Sequence, residues 1–154
     1  MTTYLPSDNP RVPEARHPFR HCIDVQTRFT DIDLIGHVNN NVYLSFMDLA
    51  KIDYFTTVLQ RKLTPRDLCM VVAHIDCDYF EPAYFDNHLQ VWTTIIHHGE
   101  RSITLQQRIV DADTMQTKCI GTTVMVGFDP VTTRSAPIDT ELIARLTDYE
   151  KRPI

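Results

Sequence analysis

Two aspartates one residue apart, Asp31 and Asp33, are followed closely by Gly36, His37 and the run Asn39-Asn40-Asn41. A carboxylate can act as a nucleophile or as the base that activates a water, and donors around an oxygen that gains charge complete what attack at a carbonyl requires. Aspartate and asparagine are also the residue types that favour turns and helix N-caps, because their side chains satisfy free backbone groups. Both readings put residues 30–41 at the same structural point, a loop that ends in a helix start. The free N–H groups and the dipole of such a start point into the space that a neighbouring carboxylate addresses. His37 stands between the two, either as a locally satisfied loop histidine or as a group that orients water or hydrogen-bonds an oxygen.

The elements that must hold this segment follow from periodicity. Residues 21–29 alternate as a first strand, with Ile23, Val25 and Phe29 on one side and Cys22, Asp24 and Gln26 on the other. A helix is expected from residue 40 or 41 to 59, apolar nearly all round with a narrow polar stripe at Ser45, Asp48 and Lys51, and therefore buried on most sides. After a polar connection at 60–67 come strand-like runs at 68–80, 88–98, 102–110 and 116–128, and a short closing helix at 139–149 with Asp139 as its cap. Gly99-Glu100 joins two of the runs closely enough for a hairpin, so the sheet is antiparallel. One strand, one long helix and four further strands make an α+β arrangement in which a five-stranded sheet wraps the helix. Residues 1–19 carry Pro6, Pro10, Pro13 and Pro18 without periodicity, which reads as an extended N-terminal arm before a single domain at 20–154.

Composition narrows the classes. The chain has 154 residues, 43% hydrophobic and 23% charged, the profile of one globular domain rather than of a disordered or fibrous chain. Its net charge of -5 and the absence of a Lys/Arg cluster argue against nucleic acid as a partner. No apolar run approaches the roughly 18 residues of a membrane span, and residues 1–20 lack the apolar stretch of a signal peptide, so a cytoplasmic protein is expected. Cys22, Cys69, Cys77 and Cys119 are far apart and lie in apolar runs, as buried reduced thiols do, and no histidine spacing suits a metal; neither a metal nor another cofactor is expected. Glycine-rich phosphate loops and a G-x-S-x-G step are absent.

The segment Arg28-Phe29-Thr30-Asp31-Ile32-Asp33, with Gly36, Asn40 and Tyr43 after it, resembles the opening of the hotdog-fold thioesterases of the 4-hydroxybenzoyl-CoA thioesterase-like group. The likeness continues through Tyr79-Phe80-Glu81-Pro82 and Asp86 to Arg101-Ser102-Ile103, and covers about residues 20 to 130. It implies a hotdog fold, hydrolysis of acyl-CoA thioesters, Asp33 rather than Asp31 as the essential carboxylate, and the backbone N–H of Asn40 as the group that polarises the carbonyl. It also implies two subunits with sheets joined edge to edge, a site shared between them, and pairing of such dimers into tetramers. His37-Val38-Asn39-Asn40 is similar instead to plant-type acyl-carrier-protein thioesterases, whose D-x-N-x-H run maps to Asp33, Ile35 and His37; Ile35 breaks that match and leaves His37 a supporting role. Alternatives from the same fold are therefore an acyl-carrier-protein thioesterase, a dehydratase, and a non-catalytic acyl-thioester-binding protein.

Each candidate has a plainer reading. Asp31 or Asp33 can cap a turn, one of the three asparagines can be a simple N-cap, and Asp48 suits a solvated helix face. Tyr43 is a core residue or a substrate contact. Arg101 and Ser102 follow a hairpin turn, where a cation would meet the phosphates of coenzyme A or would merely be exposed.

Overall fold

The computed structural model describes residues 2–64 and 67–154. Alternation builds β1 (His21–Val25). The chain leaves this strand before Phe29 because Asp31 folds back on Arg28: the Arg28 N–H donates to Asp31 Oδ2 at 2.8 Å, and Phe29–Asp31 form one turn of 3-10 helix. α1 (Asn40–Leu59) follows, then β2 (Met70–Tyr79), β3 (Leu89–His98), β4 (Ser102–Asp111) and β5 (Thr117–Asp129). A two-residue β6 (Arg134–Ser135), not foreshadowed in the sequence, precedes α2 (Thr140–Glu150), whose N-cap Asp139 accepts from the Glu141 N–H at 2.9 Å. Pro65 and Arg66 of the 60–67 connection lie outside the described residues.

Every pairing is antiparallel, in the order β1-β3-β4-β5-β2, with β6 beside β5. The expected α+β architecture is the one observed. α1 buries Tyr43, Phe46, Met47, Ala50, Lys51, Tyr54, Phe55 and Val58, a set spaced three and four apart that forms a single stripe. It packs on the sheet face that carries Leu89, Val91, Ile95, Leu105 and Ile109. Helix and sheet come close at Gly121, where a Cβ would stand 2.5 Å from Met47 Sδ.

The polar stripe expected along α1 is corrected. Lys51 is buried, its Nζ bonded to Asp48 Oδ1 at 2.8 Å, while Leu49 and Ile52 face outward. Helical spacing rather than residue type decides which side faces the sheet, and a lysine can lay its aliphatic stem along apolar surface. The cysteines also depart from expectation: all four are free, but among them Cys119 alone is buried and Cys69 is exposed.

Residues 2–19 form neither helix nor ladder, yet they are packed. Thr3 and Phe19 bridge one another, and Leu5 and Phe19 are buried against Trp92 and Val110 on the outer sheet face. Proline spacing reports the missing periodicity and says nothing of where isolated apolar side chains settle. At the C-terminal end of α2, Glu150 is fully buried. Its Oε1 accepts from Tyr54 Oη at 2.6 Å and from the Ile95 N–H at 3.2 Å, and its Oε2 accepts from Thr94 Oγ1 at 3.0 Å. No helix among the described residues is long and apolar enough to cross a membrane.

Candidate active site

The connection from β1 to α1 folds on itself before the helix begins. Ile32 and Val38 bridge, the Asp33 N–H donates to the His37 carbonyl at 2.8 Å, and the Gly36 N–H donates to the Asp33 carbonyl at 3.0 Å. Gly36 closes this tight loop at φ +83, a backbone conformation that costs glycine little; a Cβ there would meet nothing, so conformation rather than space favours glycine. Leu34 and Ile35 project from the tip into solvent.

The two aspartates part company here. Asp31 is buried, bonded to the Arg28 N–H and paired with the Arg28 guanidinium at 3.3 Å. Burial alone would raise its pKa, but the Arg28 hydrogen bonds and charge outweigh that and hold the carboxyl below the usual range. Asp33 is half-buried; its Oδ1 accepts from the Ile35 and His37 N–H groups at 3.0 and 3.3 Å, and its Oδ2 has no partner among the described residues. The loop backbone thus orients the carboxylate and leaves one oxygen open.

Asn39 is the simple N-cap, its Oδ1 accepting from the Asn41 N–H at 3.0 Å, and the Val42 N–H reaches the Asn39 carbonyl at 2.9 Å. The Asn40 N–H, first of the helix, has no acceptor among the described residues. An unpaired N–H at the positive end of a twenty-residue helix is a ready donor to a developing anion.

Asp33, His37, Asn40 and Tyr43 open onto one cleft of about 360 Å³, which Val38, Tyr79, Phe80, Glu81 and Pro82 also line. Tyr43 is buried, and burial pushes its phenol to about 12 against a smaller lowering by a hydrogen bond from the Ala83 backbone. Tyr79, also pushed by burial to about 12, packs edge to face on Tyr43 and donates its hydroxyl to the Asn40 carbonyl at 3.0 Å. The His37 ring meets Tyr84 edge-on, with centroids 5.1 Å apart. Tyr79 and Glu81 were not singled out by residue chemistry; their signal in the sequence was the likeness of the run Tyr79-Phe80-Glu81-Pro82 to the family, which gave them no role in the site.

Arg101 and Ser102 are not brought to this cleft by their own chain. Arg101 precedes β4 and Ser102 begins it; the ten residues of β4 span about 33 Å at ~3.3 Å each, and its other end, Asp111, pairs with Leu89, which pairs with Val25 at the end of β1 that leads to the Asp33 loop. Arg101 donates to the Ser135 carbonyl at 3.0 Å. Asp48 is exposed and pairs with Lys51. Among the described residues no group of three or more His, Cys, Asp or Glu side chains could hold a metal ion.

An antiparallel sheet wrapped on one long helix is the hotdog architecture. The thioesterase-like superfamily matches residues 27–146. A thioesterase from Thermus thermophilus, solved with coenzyme A and zinc, is 29% identical, with a TM-score of 0.78 over 88% of this chain and 98% of that one. A predicted thioesterase from Bacillus stearothermophilus, at 22% identity, shares the fold with a TM-score of 0.77 over 87% and 98%. A 1,4-dihydroxy-2-naphthoyl-CoA thioesterase from Synechocystis does so at 20% identity, with a TM-score of 0.73 over 83% and 96%. No curated protein sequence matches the chain. The chain belongs to the thioesterase-like superfamily and is by class a thioester hydrolase.

Proposed function

We propose that the chain hydrolyses acyl-CoA thioesters at the cleft between Asp33 and the start of α1. The observation that carries the reading is the juxtaposition of an oriented carboxylate with one free oxygen and an unpaired helix-terminal N–H. A thioester carbonyl seated between them would place its oxygen on the Asn40 N–H and its carbon toward Asp33. Asp33 takes a proton from water as the water oxygen bonds to the carbonyl carbon, and the Asn40 N–H and helix dipole hold the oxyanion. Collapse breaks the C–S bond, and the proton on Asp33 passes to the departing thiolate, giving acid and free thiol. Direct attack by Asp33 Oδ2 on the carbonyl carbon, with the C–S bond breaking to expel the thiolate, would form a mixed anhydride; water then cleaves it to the acid and the Asp33 carboxyl, whose proton passes to the thiolate. His37 supports the water or the carbonyl oxygen, and Tyr43 forms the buried wall against the acyl group.

Coenzyme A as the thiol is supported by the related Thermus thioesterase solved with it. The working unit in this reading is a homodimer. β2 pairs with β5 alone, and its free edge exposes Val71, Val72 and Tyr79, a surface that sheets cover by further pairing. Joining two β2 strands about a two-fold axis would lay the partner subunit's Arg101 end toward this chain's cleft end, and two such dimers can pair again as a tetramer. A panel of acyl-CoA and acyl-carrier-protein thioesters of graded chain length tests the reading. Turnover of CoA esters with release of free thiol is expected. Turnover of carrier-protein esters alone, or tight binding without turnover, would replace the reading with one of its alternatives.

A further inference from the structure

The N-terminal strap lies outside the segment matched by the family, yet its middle reaches Phe80 and Glu81, two residues that line the cleft. Its root is fixed. Thr3 and Phe19 exchange backbone hydrogen bonds at 3.0 and 2.7 Å, and the Pro13 carbonyl accepts from Arg108 Nη2 at 2.7 Å. Arg108 is buried, with its guanidinium 5.8 Å from the centre of the Phe19 ring. From this root the strap turns at Asn9, whose carbonyl accepts from the Val12 N–H at 3.0 Å and whose Oδ1 accepts from the Arg11 N–H at 3.0 Å. Asn9 and Arg11 therefore leave one turn together, and both reach the same target. Asn9 Nδ2 donates to Glu81 Oε1 at 2.8 Å, and Arg11 Nη2 donates to the Phe80 carbonyl at 3.1 Å while standing 3.9 Å from Glu81 Oε1.

Phe80 and Glu81 belong to the wall of the cleft that Asp33 and Asn40 also line. From within, this wall is tied by the Phe80 N–H to the Lys118 carbonyl at 2.9 Å and by the Val38 N–H to the Ala83 carbonyl at 2.8 Å. From outside, the Glu81 carboxylate has Asn9 and Arg11 as its partners among the described residues. We propose that Asn9 and Arg11 are positioning residues for the thioester site: the strap holds the 80–82 wall at its distance from Asp33 and the Asn40 N–H, and so sets how firmly substrate is gripped. This rests on the reading of the cleft as the thioester site. The Asp33 loop and the helix start keep their own hydrogen bonds, so loosening the wall acts on binding more than on the chemical step. The Arg11 side chain is exposed, and exposed polar contacts of this kind shift a local equilibrium by roughly fivefold, not by orders of magnitude.

The test is the double variant Asn9→Ala/Arg11→Ala in the full chain. Amide exchange at Phe80 and Glu81 is expected to quicken about fivefold while the amides of β3 and β4 keep their rates, because the opening is local. KM for an acyl-CoA is expected to rise about fivefold with kcat held within about twofold, and Arg11→Lys, which still offers a donor to the Phe80 carbonyl, should recover most of the loss that Arg11→Ala alone causes. Unchanged exchange at Phe80 and Glu81 overturns the proposal whether or not any ester is hydrolysed, so its failure is distinguishable from failure of the function. A KM rise confined to CoA esters, and absent with phosphate-free N-acetylcysteamine thioesters, also overturns it, because Arg11 would then be a direct phosphate contact.

Discussion

Asp33 and Glu150 carry the same functional group in opposite settings. Glu150 is fully buried and both its oxygens are engaged, by Tyr54, Thr94 and the Ile95 N–H; that N–H stands at the irregularity between Ile95 and His97 in the β3–β4 pairing. Asp33 commits one oxygen to two loop N–H groups and leaves the other free, beside a helix N–H that is also free. A buried carboxylate that fills every vacancy around it is architecture, since removing it strands its donors. A half-buried carboxylate held by backbone through one oxygen keeps the other open, which is the arrangement that the proposed attack on a carbonyl uses.

The largest effects should separate these two groups cleanly. Asp33→Asn keeps an acceptor for the Ile35 and His37 N–H groups, so the thermal midpoint should stay within about 2 °C of wild type. In the proposed reaction the same substitution removes the base, and kcat/KM is then expected to fall by about a thousandfold or more, read from steady-state kinetics. Glu150→Ala should do the reverse. It strands the Ile95 N–H and the Tyr54 hydroxyl in the interior, a loss of about 3 kcal/mol at one to two unsatisfied groups. In a chain of this length that lowers the melting midpoint by roughly 10 °C, measurable by calorimetry, while kcat of the folded protein is retained. Loss of kcat with Glu150→Ala in protein shown to be folded would break the comparison.

Much of the frame was legible from local pattern. The spacing of Tyr43, Phe46, Met47, Ala50 and Tyr54 announced the helix, although its burial is a single stripe and not the burial on most sides that its apolar composition suggested, and the alternation along β4 matches one-sided burial over 102–107, beyond which both sides are buried through Asp111. The Asp33–Asn40 segment was legible because turn and cap residues report their own backbone. What remained hidden depends on contacts distant in sequence. Lys51 is buried because it falls on the inward stripe, whatever its charge. The strap folds over the sheet because Leu5 and Phe19 find Trp92 and Val110, and no periodicity announces such single anchors. Tyr79 and Glu81 join the cleft through the pairing of β2 with β5, which places the end of β2 beside α1, and register is not written in either strand alone.

A smaller effect sharpens the contrast within the loop itself. Asp31→Asn should cost about 1 kcal/mol at neutral pH, the usual loss at a cap, with activity changed far less than by Asp33→Asn. The sign of its pH dependence follows from the direction of the shift. Burial pushes the folded carboxyl up, the Arg28 hydrogen bonds and charge push it down by more, and it lies below its ordinary value. The wild-type advantage is therefore fully present above the ordinary carboxylate pKa of about 3.9. It declines as pH falls through that value and is gone below the folded pKa. Denaturation curves of wild type and Asp31→Asn should converge on acidification; curves that stay parallel would remove the ion pair with Arg28 as the cause.

The smallest effect concerns Arg101, and it decides whether the far end of the sheet belongs to the site at all. Within one chain Arg101 is bonded to Ser135 and lies a strand's length from Asp33. If two chains pair through β2, the partner subunit's Arg101 can serve this chain's cleft as a solvent-screened cation for the phosphates of coenzyme A. Arg101→Ala should then raise KM for CoA esters by about two- to threefold and flatten its dependence on ionic strength, because exposed charges act weakly and within about 10 Å. Mixed dimers locate the arginine. One chain carrying Asp33→Asn and the other Arg101→Ala still contain one site with a native Asp33 and, across the interface, a native Arg101; that site should show the wild-type KM. If Arg101 served its own chain, the same mixture would show only the raised KM. Unchanged KM in Arg101→Ala alone would leave Arg101 as a turn residue held by Ser135, and the cleft would have to find its cation elsewhere.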